Sequence, residues 1–146
     1  MIVAALFMTI VAQTCPALPS PVSLDQAMGR TLTSVRSGNA KTLLAQMSPA
    51  GVTFAAPIGS QGMRVPNAVL TDQFARRNGR YCDLFVCNGR AGRLNALFNG
   101  GKTQKTIDVE HGRAVVVLNG ASPRELDLGY GYNAQCQWEL TSVSIR

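Results

Sequence analysis

In the last third of the chain, apolar side chains recur at every second position, and that period constrains the fold more than any other feature. "ELDLGYGY" puts Leu126, Leu128, Tyr130 and Tyr132 on one face, as a half-buried strand requires. "KTIDVE" and "RAVVVLN" read as two more strands, joined tightly at His111-Gly112, a hairpin turn. The final strand alternates through Cys136, Trp138 and Leu140, then changes phase to Val143 and Ile145. A slip of one residue would send the second half of the strand to the opposite face unless a bulge absorbs it. The phase change therefore predicts a bulge near Thr141–Ser142 and a strongly curved last strand. Four strands in succession predict a curved antiparallel sheet.

Upstream the period is helical. Ser23, with Gln26 three residues on, reads as a capping box, and Leu24, Ala27, Met28, Leu32 and Val35 follow at helical spacing until Gly38. A second short helix carries Leu43, Leu44 and Met47 and ends at Pro49. "GVTFAAP" and "GMRVP" read as short strands around the turn Ile58-Gly59-Ser60-Gln61. Pro66 opens a third helix bearing Val69, Leu70 and Phe74, which Gly79 stops. Residues 80–101 carry the weakest pattern and read as an irregular insertion, with a short helix around Leu94, Leu97 and Phe98. Helices first and strands last give an α+β class, with about four long strands packed on N-terminal helices. A chain of 146 residues, 46% hydrophobic and 15% charged, has the size and apolar content of one domain with a proper core. That domain is expected over residues 23–146.

The N-terminus and the cysteines both point to export. The apolar run from Ile2 to Ala12 is too short to span a bilayer but fits the core of a signal peptide. No Lys or Arg precedes Arg30, so the usual positive start is missing. Residues 1–14 are read as the leader and 15–22 as a Pro-rich linker, which predicts a periplasmic or secreted protein with no membrane span. "AQTC" is a weak lipoprotein box because Ala12 stands at its first position. Cys82 and Cys87, in "CDLFVC", are spaced wrongly for a redox C-x-x-C, and the chain's single histidine, His111, lies elsewhere. No metal site and no cofactor are expected. A local Cys82–Cys87 disulfide is the simplest account in an oxidising compartment. Cys15 and Cys136 would form the other pair if cleavage retains Cys15, one of three connectivities that four cysteines allow.

Two glycine motifs imitate nucleotide sites. "ALFNGGKT", Ala96 to Thr103, lacks only the first glycine of a P-loop. That loop must follow a strand and open a helix; here helical "GRLNALF" precedes it and strand-like "KTIDVE" follows. "GYGYNA", Gly129 to Ala134, imitates the dinucleotide fingerprint but lies within a strand pattern, where glycine marks a bend or a close approach. No nucleotide is expected.

Catalysis has few candidates. His111 sits at a hairpin tip, so a nucleophilic triad is not expected. The remaining acid–base groups are Asp72, Asp127, Tyr130 and Tyr132, and Asp127 alternates away from Leu126, Leu128 and the tyrosines. The formal charge is +6, an ordinary value for solubility. Arg76, Arg77, Arg80, Arg90 and Arg93 are residues suited to planar anions. They make an anion or partner surface the alternative to a solvated helix end. Aromatic interleaving is thin there (Tyr81 and Phe85), which argues against a nucleic-acid platform.

"LTSVRSGNAKTLLAQMSPAGVTF", two helices leading into a strand, and the closing "QWELTSVSI" resemble the NTF2-like (SnoaL/ketosteroid-isomerase-like) superfamily over roughly residues 23–146. The resemblance implies a sheet wrapped over helices into a cone with an apolar pocket, in a family of isomerases, cyclases and members without catalytic activity. The isomerase branch works with an Asp base and a Tyr-containing oxyanion site, positions that this sequence does not mark. Two functions follow as expectations. The first is an exported, non-catalytic binding module for a small apolar ligand or a protein partner, with oligomerisation left open. The second is a small enzyme using Asp and Tyr in the cone. A pocket, where one exists, is expected to be lined by Tyr130, Tyr132, Trp138 and Leu140 and closed by Phe74 of the third helix.

Overall fold

Pro21 decides where the first helix starts. The computed structural model describes residues 15, 19–55, 61–92, 94–95, 103–119 and 125–145. The apolar run expected to be a leader, most of the turn at 58–61, Arg93, Leu97, Phe98 and residues Gly100 and Gly101 lie outside the described residues. Helix α1 (Pro21–Arg36) begins with Ser20 as its cap. Ser20 Oγ accepts from the Ser23 N–H, and the Ser20 N–H reaches Ser23 Oγ. The capping box therefore stands three residues before the expected Ser23/Gln26 pair. A proline fits the first helical position because its missing N–H is not needed there, so the helix extends back to Pro21 and Ser23 becomes the third residue of the first turn. Gly38, at φ 69°, closes the helix as expected.

Helix α2 (Ala40–Gln46) is capped by Asn39, whose Oδ1 accepts the Thr42 N–H at 3.1 Å. Strand β1 (Val52–Ala55) and strand β2 (Met63–Val65) pair antiparallel. Helix α3 (Asn67–Arg76) follows Pro66 and ends at Arg77, two residues before the expected stop at Gly79. Within the segment read as irregular, Arg80–Leu84 forms a short helix, α4. The two-residue strands β3 (Val86–Cys87) and β4 (Arg90–Ala91) form a small hairpin after it. Gly92 lets that hairpin close on α4, since a Cβ there would lie 2.0 Å from the Cys82 carbonyl oxygen.

The four long strands are β5 (Thr103–Asp108), β6 (Arg113–Asn119), β7 (Glu125–Tyr132) and β8 (Trp138–Ile145). They pair antiparallel in sequence order, and β1 joins β8 in parallel, giving the order β2-β1-β8-β7-β6-β5. The sheet is thus mixed, with the expected antiparallel strands as its main body. The predicted bulge is present. Gly129 faces Ser142 and Tyr130 faces Leu140, leaving Thr141 as the extra residue; its hydroxyl donates to the Gly129 carbonyl at 3.1 Å. Past that bulge, Leu126, Leu128, Tyr130 and Tyr132 stay on one face, opposite Ile145, Val143, Leu140 and Trp138. Ala114, Val116 and Leu118 of β6 continue that face, and Leu24, Ala27 and Val35 of α1 join the same core.

Two disulfides close the fold, Cys82–Cys87 and Cys15–Cys136. Both suit an oxidising, non-cytoplasmic setting. Among the described residues no helix is long and apolar enough to cross a membrane.

Candidate functional site

Alternation aims the large side chains of β7 and β8 at the concave face of the sheet. Tyr130, Trp138 and Leu140 are 2%, 5% and 1% exposed, and α1 occupies the space in front of them. The Tyr130 hydroxyl donates to Thr31 Oγ1 at 2.9 Å. Thr31 in turn lies within hydrogen-bond reach of the Ala27 carbonyl (3.1 Å) and Gln46 Oε1 (3.2 Å). Gln46 Nε2 donates to Ser34 Oγ and to the Thr42 carbonyl, tying α2 into the same network. Burial pushes the Tyr130 phenol up to about 12, against the pull of its Thr31 contact, so it remains a neutral donor.

Trp138 is held in the same manner: its Nε1–H donates to Ser23 Oγ at 2.9 Å. Ser23 therefore both closes the helix cap and holds the indole. The half-buried Tyr132 packs edge-on against the Trp138 ring, with centroids 5.1 Å apart. At the sheet edge, Lys105 of β5 forms an ion pair with Asp25 of α1. The structure thus brings Tyr130, Tyr132, Trp138 and Leu140 together along two strands. Phe74 is elsewhere, edge-on to Tyr81 at 6.0 Å and to Phe85 at 5.8 Å. It belongs to a second aromatic cluster formed by α3 and α4, which alternation in the strands could not reveal.

A pocket of about 480 Å³ opens beside Trp138, between Ser23, Arg30, Gln46 and Met47 on the helix side and Asn133 and Glu139 at the β7–β8 turn. Further concave space lies at the other end of the sheet. Phe54, Val143, Ile145, Leu94, Arg80 and Asp83 border a cavity of about 60 Å³. Arg80 lies over the Phe54 ring, 4.8 Å from its centroid, and pairs with Asp83 at 3.0 Å. Ligand pockets for drug-sized molecules usually measure about 300–1,000 Å³, so the space among these residues is small by that standard.

The five arginines disperse. Arg80 faces inward, Arg76 pairs with Asp72 on the exposed side of α3 at 2.8 Å, Arg90 is exposed on the small hairpin, and Arg93 lies outside the described residues. Arg77 turns to a groove of about 680 Å³ between α2 and α3, which also contacts Lys41, Leu44, Phe74 and Tyr81. Sequence spacing conceals this groove, because Lys41 and Arg77 come from different helices.

The acid–base candidates also separate. Asp72 is bound to Arg76 on the outside. Asp127 is buried on the sheet face opposite Leu126 and Leu128, level with Ser144 and Val117. His111 is exposed at the β5–β6 tip, with Nδ1 2.7 Å from Asp108 Oδ2. Thr103 opens a strand where a P-loop would open a helix, and Gly129 and Gly131 are paired within β7. Among the described residues, no group of three or more His, Cys, Asp or Glu side chains could hold a metal.

No family model matches the sequence, and no curated protein matches it. Solved structures do. A candidate ketosteroid isomerase from Shewanella frigidimarina NCIMB 400 superposes with a TM-score of 0.52 at 14% identity, covering 85% of this chain and 94% of its own. The chain has an NTF2-like fold. The CaMKII hub of S. rosetta superposes at 0.53 and 14% identity, over 90% of this chain and 98% of its own. An NTF2-like protein of unknown function from Pseudomonas putida KT2440 reaches 0.49 at 11% identity, over 88% of each chain. An NTF2-like fold joins helices to a curved, open sheet, as α1–α3 and β5–β8 do here. At these identities the likeness concerns the fold alone, and function has to be argued from the side chains.

Proposed function

We propose that the protein is an exported, non-catalytic binding module that engages a protein partner through its exterior, its cone serving as core. The observation that carries this reading is the state of Tyr130 and Trp138: both are buried, and both polar handles are committed to α1. A ligand entering between α1 and the sheet would have to break both buried hydrogen bonds and displace the helix, whereas the space beside Trp138 borders Ser23, Arg30 and Gln46 without reaching Tyr130. Leaving a buried donor without its acceptor costs about 1–3 kcal/mol per group. An enzyme using Asp and Tyr would need a carboxylate beside a free phenol. Asp72 is instead on the surface with Arg76, and the Tyr130 hydroxyl is held by Thr31.

Export is part of the proposal. Removal of the leader before Cys15 leaves that cysteine to pair with Cys136, and both disulfides then form in the oxidising compartment that receives the chain. The remaining residues make up one α+β domain. Intact mass of protein recovered from an exporting host tests this part, with a mature start no later than Cys15 expected. A full-length chain retained in the cytosol would overturn it.

Trp138 is the only tryptophan, so its emission reports on the cone. Titration with apolar probes and steroid-like ligands is expected to leave the emission unchanged. A saturable shift, lost in Tyr132→Ala, would instead establish an open pocket and return the reading to a small-ligand site.

A further inference from the structure

The groove between α2 and α3 is lined by two cations, Lys41 and Arg77. Close by, cations are already paired: Arg76 with Asp72, and Arg80 with Asp83 and the Phe54 ring. Lys41 and Arg77 line the groove, and neither has an ion-pair partner among the described residues. No carboxylate is among the described residues that line it. Its floor is apolar, from Leu44, Phe74 and Tyr81, with Thr71 and Asn39 at the margins.

We propose that this groove, with Lys41 and Arg77 above the Leu44–Phe74–Tyr81 floor, docks an acidic segment of a partner protein that carries an apolar side chain between carboxylates. The idea rests on the surface-binding reading above and names the chemistry of the partner. Charge decides the sign of the occupant, since two cations without local acids favour an anionic one and repel basic segments. The floor decides its class. Phe74, Tyr81 and Phe85 are packed against one another, Tyr81 stacked on Phe85 at 4.8 Å. Their faces are therefore not free to stack nucleobases, the contact that single-stranded nucleic acid needs. An apolar side chain needs only the surface they present, and a peptide carboxylate on either side reaches a cation.

Arg77 carries a second mark. It ends α3 at φ 53°, ψ 46°, the left-handed region where glycine is the usual residue after a helix. A residue with a Cβ is disfavoured there. The position therefore holds a cation where the backbone alone would favour glycine.

The test uses the whole protein and three fluorescein-labelled probes: a short peptide with Glu residues flanking a Phe-Leu pair, the same peptide with Lys for Glu, and oligo-dT. Anisotropy is expected to show binding of the Glu peptide that weakens with salt, and none of the Lys peptide. Lys41→Glu and Arg77→Glu should each weaken binding about three- to tenfold, chiefly by slowing association, as expected of exposed charges at an interface. Backbone amide shifts in NMR should change over residues 37–44 and 71–81. Arg77→Gly separates recognition from folding: binding should weaken while Tm rises by about 2–4 °C. Absence of binding at millimolar peptide would overturn the proposal, as would binding unaffected by both charge reversals. Equal or tighter binding of oligo-dT would overturn it in favour of a nucleic-acid surface. Each of these results leaves the Trp138 emission test of the filled cone untouched, so the two readings fail separately.

Discussion

The α1–sheet interface and the α2–α3 groove both combine aromatic rings with polar groups, yet they use them in opposite ways. In the first, each named polar group has an internal partner: Tyr130 with Thr31, Trp138 with Ser23, Lys105 with Asp25. In the second, the aromatic rings partner each other, and the two cations beside them have no ion-pair partner among the described residues. Each region also has its own disulfide. Cys136 lies two residues before Trp138, and Cys82 directly follows Tyr81. The contrast teaches that aromatic content alone does not mark a binding site. What separates core from surface site is whether the polar handles are already satisfied within the chain.

The long disulfide gives the largest effect, and the short one is its control. Cys15–Cys136 spans 121 residues and Cys82–Cys87 spans 5. By loop entropy, losing the first should cost about 5 kcal/mol and losing the second about 2 kcal/mol. Cys15→Ala/Cys136→Ala and Cys82→Ala/Cys87→Ala, compared by urea unfolding, measure both. Equal costs would break the idea that the two staples serve different needs, one global and one local.

Next come the rings of the interface. Tyr130→Ala removes a buried ring and its hydrogen bond and should cost about 3–5 kcal/mol. Tyr130→Phe should cost only about 1 kcal/mol, because the Thr31 hydroxyl retains other partners. Thermal unfolding of both variants decides it. A tolerated Tyr130→Ala would mean that α1 does not depend on this ring, and the concave face would then be reopened as a ligand site.

Much of this interface is legible in the sequence, though only from one side. Alternation puts Tyr130, Tyr132, Trp138 and Leu140 on one face, and the phase change locates the bulge at Thr141. The period fixes which way a side chain points. It does not say what stands opposite, so the hydrogen bonds from α1 to Tyr130 and Trp138 stay hidden. The same limit applies to Phe74, whose helical spacing marks it as buried without saying that Tyr81 and Phe85 surround it. The parallel pairing of β1 with β8 is a contact between residues nearly ninety positions apart, as between Thr53 and Ser142, and no local pattern encodes it. The groove is least legible of all, since Lys41 and Arg77 belong to segments with no shared motif. Charge spacing along the chain groups Arg77 with Arg76, Arg80 and Arg90, which the fold sends in separate directions.

The smallest expected effect sets the floor of the comparison. At the β5–β6 tip, Asp108 accepts from the His111 N–H at 3.2 Å and lies beside its ring, exposed to solvent. The side-chain contact with His111 holds the Asp108 carboxyl below the usual carboxylate range. A carboxyl lowered on folding contributes stability above its unfolded value and loses it as pH falls through the folded one. The loss therefore belongs to the acid side of the ordinary Asp value, near 3.9, and is absent at neutral pH. Water screens an exposed pair of this kind, so the contribution should be hard to detect. An NMR titration of the Asp108 carboxyl should show the lowered midpoint, while Asp108→Asn leaves the unfolding curve at pH 7 within error of the parent. A marked loss of stability in Asp108→Asn would show that an exposed polar contact matters as much as the buried ones. In that case burial of the handles at Tyr130 and Trp138 would no longer distinguish the interface from the groove.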